Sequence, residues 1–268
     1  MLVTILFVVT GLLYGVASVL YLVFLLRGAD KIGRYATGAL IGAVAVHVGL
    51  LAADFFVAGH VPTADIQQTL ALASLVTVVA YLLALTRYKL TVLGAFITPI
   101  TLLLFLGAGL GRTVAHVPPG VRSILLPIHI GVNVLGIAAF TLAFAVALAY
   151  VIQERQLRRK QLGAIFHRLP PLDTLDALGL KLVTIGIPLL TFGIVTGTMV
   201  ATQNHGALEL STAQILALLA WLFFAGVLLL RWAAGWRGRR AAIGMMLGFF
   251  CTMAVLVGYV LRASARGP

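Results

Sequence analysis

The stretch ILLPIHIGVNVLGIAAFTLAFAVALAYVI (124–152) runs for 29 residues without an Asp, Glu, Lys or Arg, then passes directly into QERQLRRK (153–160). A bilayer core of about 30 Å takes roughly 20 apolar residues in helical form. Backbone groups surrounded by lipid must pair within their own segment, so a run of this length is a helix that spans. The cations that follow it mark the side that faces the cytoplasm. Seven more stretches meet the same length requirement: 1–26, 35–58, 66–86, 90–110, 178–203, 212–230 and 241–261. The expected fold is all-α, a polytopic membrane bundle of eight transmembrane helices forming one domain over 1–268. No basic region precedes the first stretch, which therefore reads as a span and not as a cleaved signal peptide.

Composition agrees with the span count. Of 268 residues, 62% are hydrophobic and 10% charged, against roughly 45–50% and 25% in soluble domains. Too few polar side chains exist to cover a water-facing surface, so membrane lipid is the main partner. That balance excludes a soluble enzyme, a disordered chain and a secreted disulfide scaffold. The net charge of +12 is spread in short clusters between apolar runs, which argues against nucleic acid as a partner. A single cysteine, Cys251, leaves no CxxC for a dithiol relay, and no GxxxxGK[ST] is present for ATP.

Lys and Arg alternate in density between successive loops. Fifteen fall after spans 1, 3, 5 and 7 or at the inner start of span 6, and four (Arg112, Arg122, Arg262 and Arg266) fall on the opposite side. The asymmetry places both termini on the outer side, as in a multi-pass protein of a bacterial cytoplasmic (inner) membrane. The longest loop, about 153–177, breaks at Pro170 and Pro171. It reads as a solvated helix end beside anionic headgroups, with partner docking as the alternative. No internal repeat is visible.

Ionisable groups inside spans are costly, and so informative. His47 lies near the midpoint of its span, with Asp54 two turns further out on the same face. One reading is a histidine that bonds a backbone carbonyl across a helix interface; the other is a ligand. His129 stands about five residues inside the outer end of its span, with Asn133 one turn on and Pro127 in the first turn. A neutral imidazole there suits a metal or haem iron, or alternatively a solvent contact. His60, His116 and His205 share that outer side with Arg112 and Arg122, and guanidinium groups match haem propionates. No HExxH occurs, which makes zinc hydrolysis a weak option. TFGIVTG (191–197) carries Gly193 and Gly197 at GxxxG spacing, a helix-packing signal with Pro188 as a kink. Trp232 and Trp236 suit the interfacial belt, while Trp221 lies within its helix and can face a ligand.

These segments, taken with GHVPTADIQQTL (59–70), PIHIGVNVLG (127–136), YVIQERQLRRK (150–160), RLPPLDTLD (168–176), LLTFGIVTG (189–197), AWLFFA (220–225) and GWRGRRAA (235–242), resemble the cytochrome c assembly superfamily of haem-handling membrane proteins. The CcsA, CcmC and HemX-like group is meant, and the eight-span HemX-like branch is the nearest. The resemblance implies haem b as cofactor, bound or presented at the outer face for cytochrome c biogenesis. His129 matches the family's first outer histidine and would ligate haem iron; His47 matches a histidine within span 2, a second candidate ligand. His205, Arg112, Arg122, Trp221 and Asn133 complete the candidate cofactor set. An apocytochrome c or an assembly protein is the implied partner. Two departures stand out: 204–211 (NHGALELS) has no Trp where synthase members repeat it, and no second outer histidine occurs near the last span. They favour an accessory, haem-presenting role over an enzyme acting alone. The alternatives are a HemX-like regulator of glutamyl-tRNA reductase, with that cytoplasmic tetrapyrrole enzyme as partner, and a small-solute transporter.

Overall fold

The structure is a computed structural model, and it describes residues 1–58, 66–88, 90–109, 125–160, 163, 165–205 and 212–265. Eight α-helices account for nearly all of these residues, and no strand occurs among them. They are α1 (Leu2–Arg27), α2 (Asp30–Ala58), α3 (Ile66–Arg87), α4 (Gly94–Gly107), α5 (Leu125–Arg158), α6 (Leu172–His205), α7 (Thr212–Ala234) and α8 (Arg239–Ala265). Seven are long and apolar enough to cross a membrane.

The exception is α4. A 3-10 turn (Thr91–Leu93) precedes it, so the apolar helix covers Thr91–Gly107, shorter than the 90–110 expected. Elsewhere the helices outrun the apolar stretches. Helix α2 begins at Asp30, five residues before the expected span, and α6 at Leu172, six residues before. Helix α5 continues through its polar end to Arg158, where Arg158 Nε donates to Glu154 Oε1 at 2.9 Å across one turn. Hydropathy marks the lipid-facing length; side-chain pairing and caps carry the helix on into water. Pro170 and Pro171 do break the chain, and the Pro171 carbonyl accepts from Leu175 N–H in the first turn of α6.

Helix α5 is the hub. Two-thirds of its apolar window is buried, more than in any other span. One core packs α1, α2, α3 and α4 against its C-terminal half, with Tyr14, Tyr21, Tyr81 and Leu40 fully buried. A second core packs α6, α7 and α8 against it. At the α1–α2 corner Gly28 takes φ +70°, a left-handed cap whose N–H donates to Phe24 O at 2.8 Å. Arg168, from the segment just before α6, donates to Leu25 O at the same helix end, favourable for a cation at a C-terminus.

In the second core, Phe140 of α5 and Phe224 of α7 stack at 3.8 Å between centroids, 8° from parallel. Glycines close the stack on both sides: a Cβ at Gly186 of α6 would run into Phe140, and one at Gly248 of α8 would lie 2.8 Å from Phe224. Neither ring has free space to retreat into, since both are almost completely buried. Gly248→Ala is therefore expected to destabilise the bundle by about 1–3 kcal/mol, the usual cost of overpacking. A lowered thermal midpoint in detergent, followed by tryptophan fluorescence, would show it.

Candidate functional site

Near the start of α5, Pro127 in the first turn leaves no internal hydrogen bond broken, and His129 and Asn133 follow on one face. That face packs on α6, the most extensive helix pair in the fold. The sequence supplies the close approach: Gly193 and Gly197 sit one turn apart on α6 opposite these two side chains. A Cβ at Gly197 would lie 2.8 Å from His129 Cε1, and one at Gly193 would collide with the Asn133 amide. The GxxxG spacing thus does pack helices, as its reading predicts, and it also clears the volume that His129 and Asn133 fill.

Between the glycines stands Thr196. His129 Nδ1 lies 3.0 Å from Thr196 Oγ1, which donates to Phe192 O at 2.6 Å. Asn133 Nδ2 donates to the His129 carbonyl at 2.7 Å and is 3.2 Å from each ring nitrogen of His129. The structure therefore brings His129 and Asn133 together, half-buried, on a rigid helix pair.

Trp221 of α7 also reaches α6, donating from Nε1 to Thr191 Oγ1 at 2.9 Å. Thr191 and Thr196 are five residues apart, about 140° around the helix at 3.6 residues per turn. Trp221 and His129 thus hold different sides of α6. His47 belongs to the other half of the molecule. It is fully buried on α2, with Tyr14 Oη of α1 at 3.0 Å from Nδ1 and the Phe105 ring of α4 edge-on at 4.9 Å. His205 closes α6 by its backbone, while its side chain lies outside the described residues; Arg112, Arg122, His60 and His116 lie outside them altogether. Among the described residues no group of three or more His, Cys, Asp or Glu converges as a set for a bare metal ion. A haem brings four ring nitrogens of its own and asks the protein for only one or two axial donors. The fixed imidazole of His129 is one such donor, while the clearance at Gly193 and Gly197 is taken up by His129 and Asn133 themselves.

Thr196 and Tyr14 are the polar partners that the sequence reading did not name. Thr196 was signalled only by being a hydroxyl between two glycines in a span; Tyr14 by no local pattern.

Comparison with known proteins bears on the site. The family described as cytochrome C assembly protein matches residues 63–262, which takes in α3 to α7, most of α8, His129, Thr196 and Trp221, and begins after His47. Similar proteins include the cytochrome c biogenesis protein CcsA of Chlamydomonas reinhardtii, 27% identical over 219 residues. That alignment covers 76% of this chain and 61% of the relative, so the chain spans less than two thirds of that relative's length. CcsA of Prochlorococcus marinus subsp. pastoris is 25% identical over 233 residues, 78% of this chain and 74% of the relative. CcsA of Microcystis aeruginosa is 25% identical over 276 residues, 84% of each chain. These names do not support the narrower HemX-like assignment. With 200 of its 268 residues inside the family match and a multi-pass helical bundle around them, the chain belongs to the cytochrome C assembly protein family.

Proposed function

We propose that this membrane protein acts in cytochrome c biogenesis by holding haem b at the outer face of a bacterial cytoplasmic membrane and presenting it to a partner. His129 is the iron ligand in this reading. The observation that carries it is the position of His129: inside the family match, on the hub helix, and clamped to α6 by Thr196 and two glycines. The distribution of Lys and Arg supports a topology with both termini outside, in which the start of α5 opens to the outer side. Arg112 and Arg122, in the segment before α5, are the cations for the propionates. Asn133 and Trp221 keep the walls of α5 and α7 fixed against α6. In this reading His47, outside the family match and fully buried against Tyr14 and Phe105 in the other half of the bundle, is not a ligand of this haem.

Bound haem supplies the vinyl groups to which the cysteine thiols of an apocytochrome c are joined. The work of this chain is to bind and orient; an assembly partner or the apocytochrome completes the reaction. The regulator and transporter alternatives find no support in the comparisons.

Deleting the gene tests this. Haem staining of membrane proteins is expected to lose the c-type bands, with recovery from an intact copy and none from His129→Ala. Unchanged c-type cytochromes in the deletion strain would overturn the proposal.

A further inference from the structure

Two threonines of α6 play the same part toward neighbouring helices, and one of them reveals the proton arrangement at the other. A hydroxyl has a single proton to give. Thr191 gives its proton to Ile187 O at 2.8 Å, and its oxygen accepts from Trp221 Nε1, an indole nitrogen that can only donate. Thr196 repeats the pattern one and a half turns later. Its Oγ1 is 2.6 Å from Phe192 O, a separation at which the hydroxyl proton must lie between the two oxygens. The same oxygen then meets His129 Nδ1, at 3.0 Å, as an acceptor. The imidazole must carry its proton on Nδ1.

Resting on ligation of haem iron by His129, we propose that Thr196 is a positioning residue: it holds His129 in the Nδ1–H tautomer and so reserves the Nε2 lone pair for the iron. Metal-bound histidines ordinarily have the second ring nitrogen fixed by such an outer partner. Here that partner is a threonine hydroxyl whose own proton is committed to the backbone, beside the Gly193 carbonyl that also accepts from the ring.

Asn133 does not take the reserved lone pair. Its Nδ2 is 3.2 Å from both ring nitrogens. A point so placed within the ring plane would collide with Cε1–H, so the amide lies over the ring face. Its orientation is fixed too: a flipped amide would set Oδ1 2.7 Å from the His129 carbonyl, acceptor against acceptor. Gly197 completes the device, because a Cβ there would press on Cε1 and turn the ring away from Thr196.

The test uses the full chain in detergent with 15N-labelled histidine, the His129 signals being identified by their loss in His129→Gln. Without haem, the parent and Thr196→Ser are expected to show His129 protonated on Nδ1, and Thr196→Val to show the Nε2–H form appear. Titrated with haemin, Thr196→Val is expected to bind about 10–100-fold more weakly, the usual effect of removing a metal ligand's outer partner. Thr196→Ser should bind as the parent does. Gly197→Ala, which leaves the hydroxyl but displaces the ring, should weaken binding in the same way and covers the case of a Thr196→Val chain that fails to fold. An Nε2–H His129 in the parent overturns the proposal. So does parental haemin affinity in Thr196→Val when His129→Ala has lost it. If His129→Ala itself binds haemin like the parent, the ligation reading fails, and the assignment of Thr196 falls with it.

Discussion

His129→Ala, titrated with haemin in mild detergent, should lose more than about 100-fold in affinity, since removing an iron ligand exceeds the roughly 10–100-fold cost of removing a ligand's partner. The Soret band that the parent develops should be weakened and displaced. Little change in stability should accompany it. His129 is only half-buried, and its bonds are to Thr196, to the Gly193 carbonyl and to its own turn, where Asn133 Nδ2 can still reach the residue 129 carbonyl. Asn133→Leu should behave differently: it leaves the ligand in place, removes the amide from the ring face and fills the clearance at Gly193 with a bulkier group. A modest loss of haemin affinity together with a lower melting temperature is the expected pattern.

The largest effect on stability should come from Asp176. Its carboxylate receives both guanidinium nitrogens of Arg231, Nη1 to Oδ1 at 3.0 Å and Nη2 to Oδ2 at 2.8 Å, and Gly238 N–H at 3.0 Å. Both charged side chains are 15% exposed. Gly238 sits at φ +68° in the turn between α7 and α8, so this one carboxylate ties α6 to the end of α7 and to the turn after it. Asp176→Ala strands a largely desolvated guanidinium and an unpaired backbone donor. Breaking a buried pair from one side costs 3–5 kcal/mol, and the residual exposure places this case at about 3 kcal/mol. Arg231→Met should cost less, because Asp176 keeps Gly238. The double replacement Asp176→Leu/Arg231→Met should recover part of the loss, since two apolar side chains leave no lone charge. Thermal midpoints of the four chains in one detergent order these effects. A midpoint for Asp176→Ala equal to that of the parent would show that the ion pair contributes nothing.

The bundle was legible in the sequence because lipid permits so few solutions. An uncharged run such as 124–152 reads as a spanning helix, and eight predominantly apolar runs of 19–29 residues read as a bundle. Helix ends were less legible. Hydropathy stops where lipid stops, whereas α6 begins at Leu172 because Pro171 starts a turn there and Asp176 finds Arg231 fifty-five residues away. Helix α4 came out short for the opposite reason: Thr91–Leu93, inside the apolar stretch, is wound as a 3-10 turn.

For the site, His129 and Asn133 were legible as one face of one helix, because four residues make a turn. What holds them was not. Gly193, Thr196 and Gly197 matter only once α5 and α6 are paired in a particular register, and nothing local fixes that register. The same holds for His47. Its depth in the span was readable, but its neighbours Tyr14 and Phe105 come from helices one and four.

The most direct measurement is resonance Raman spectroscopy of the ferrous haem-loaded chain. An iron–histidine stretching band should be present, should move when histidine is labelled with 15N, and should vanish in His129→Ala while persisting in His47→Ala. A band that survives His129→Ala, or a spectrum with no isotope-sensitive iron–nitrogen band, would contradict haem ligation by His129.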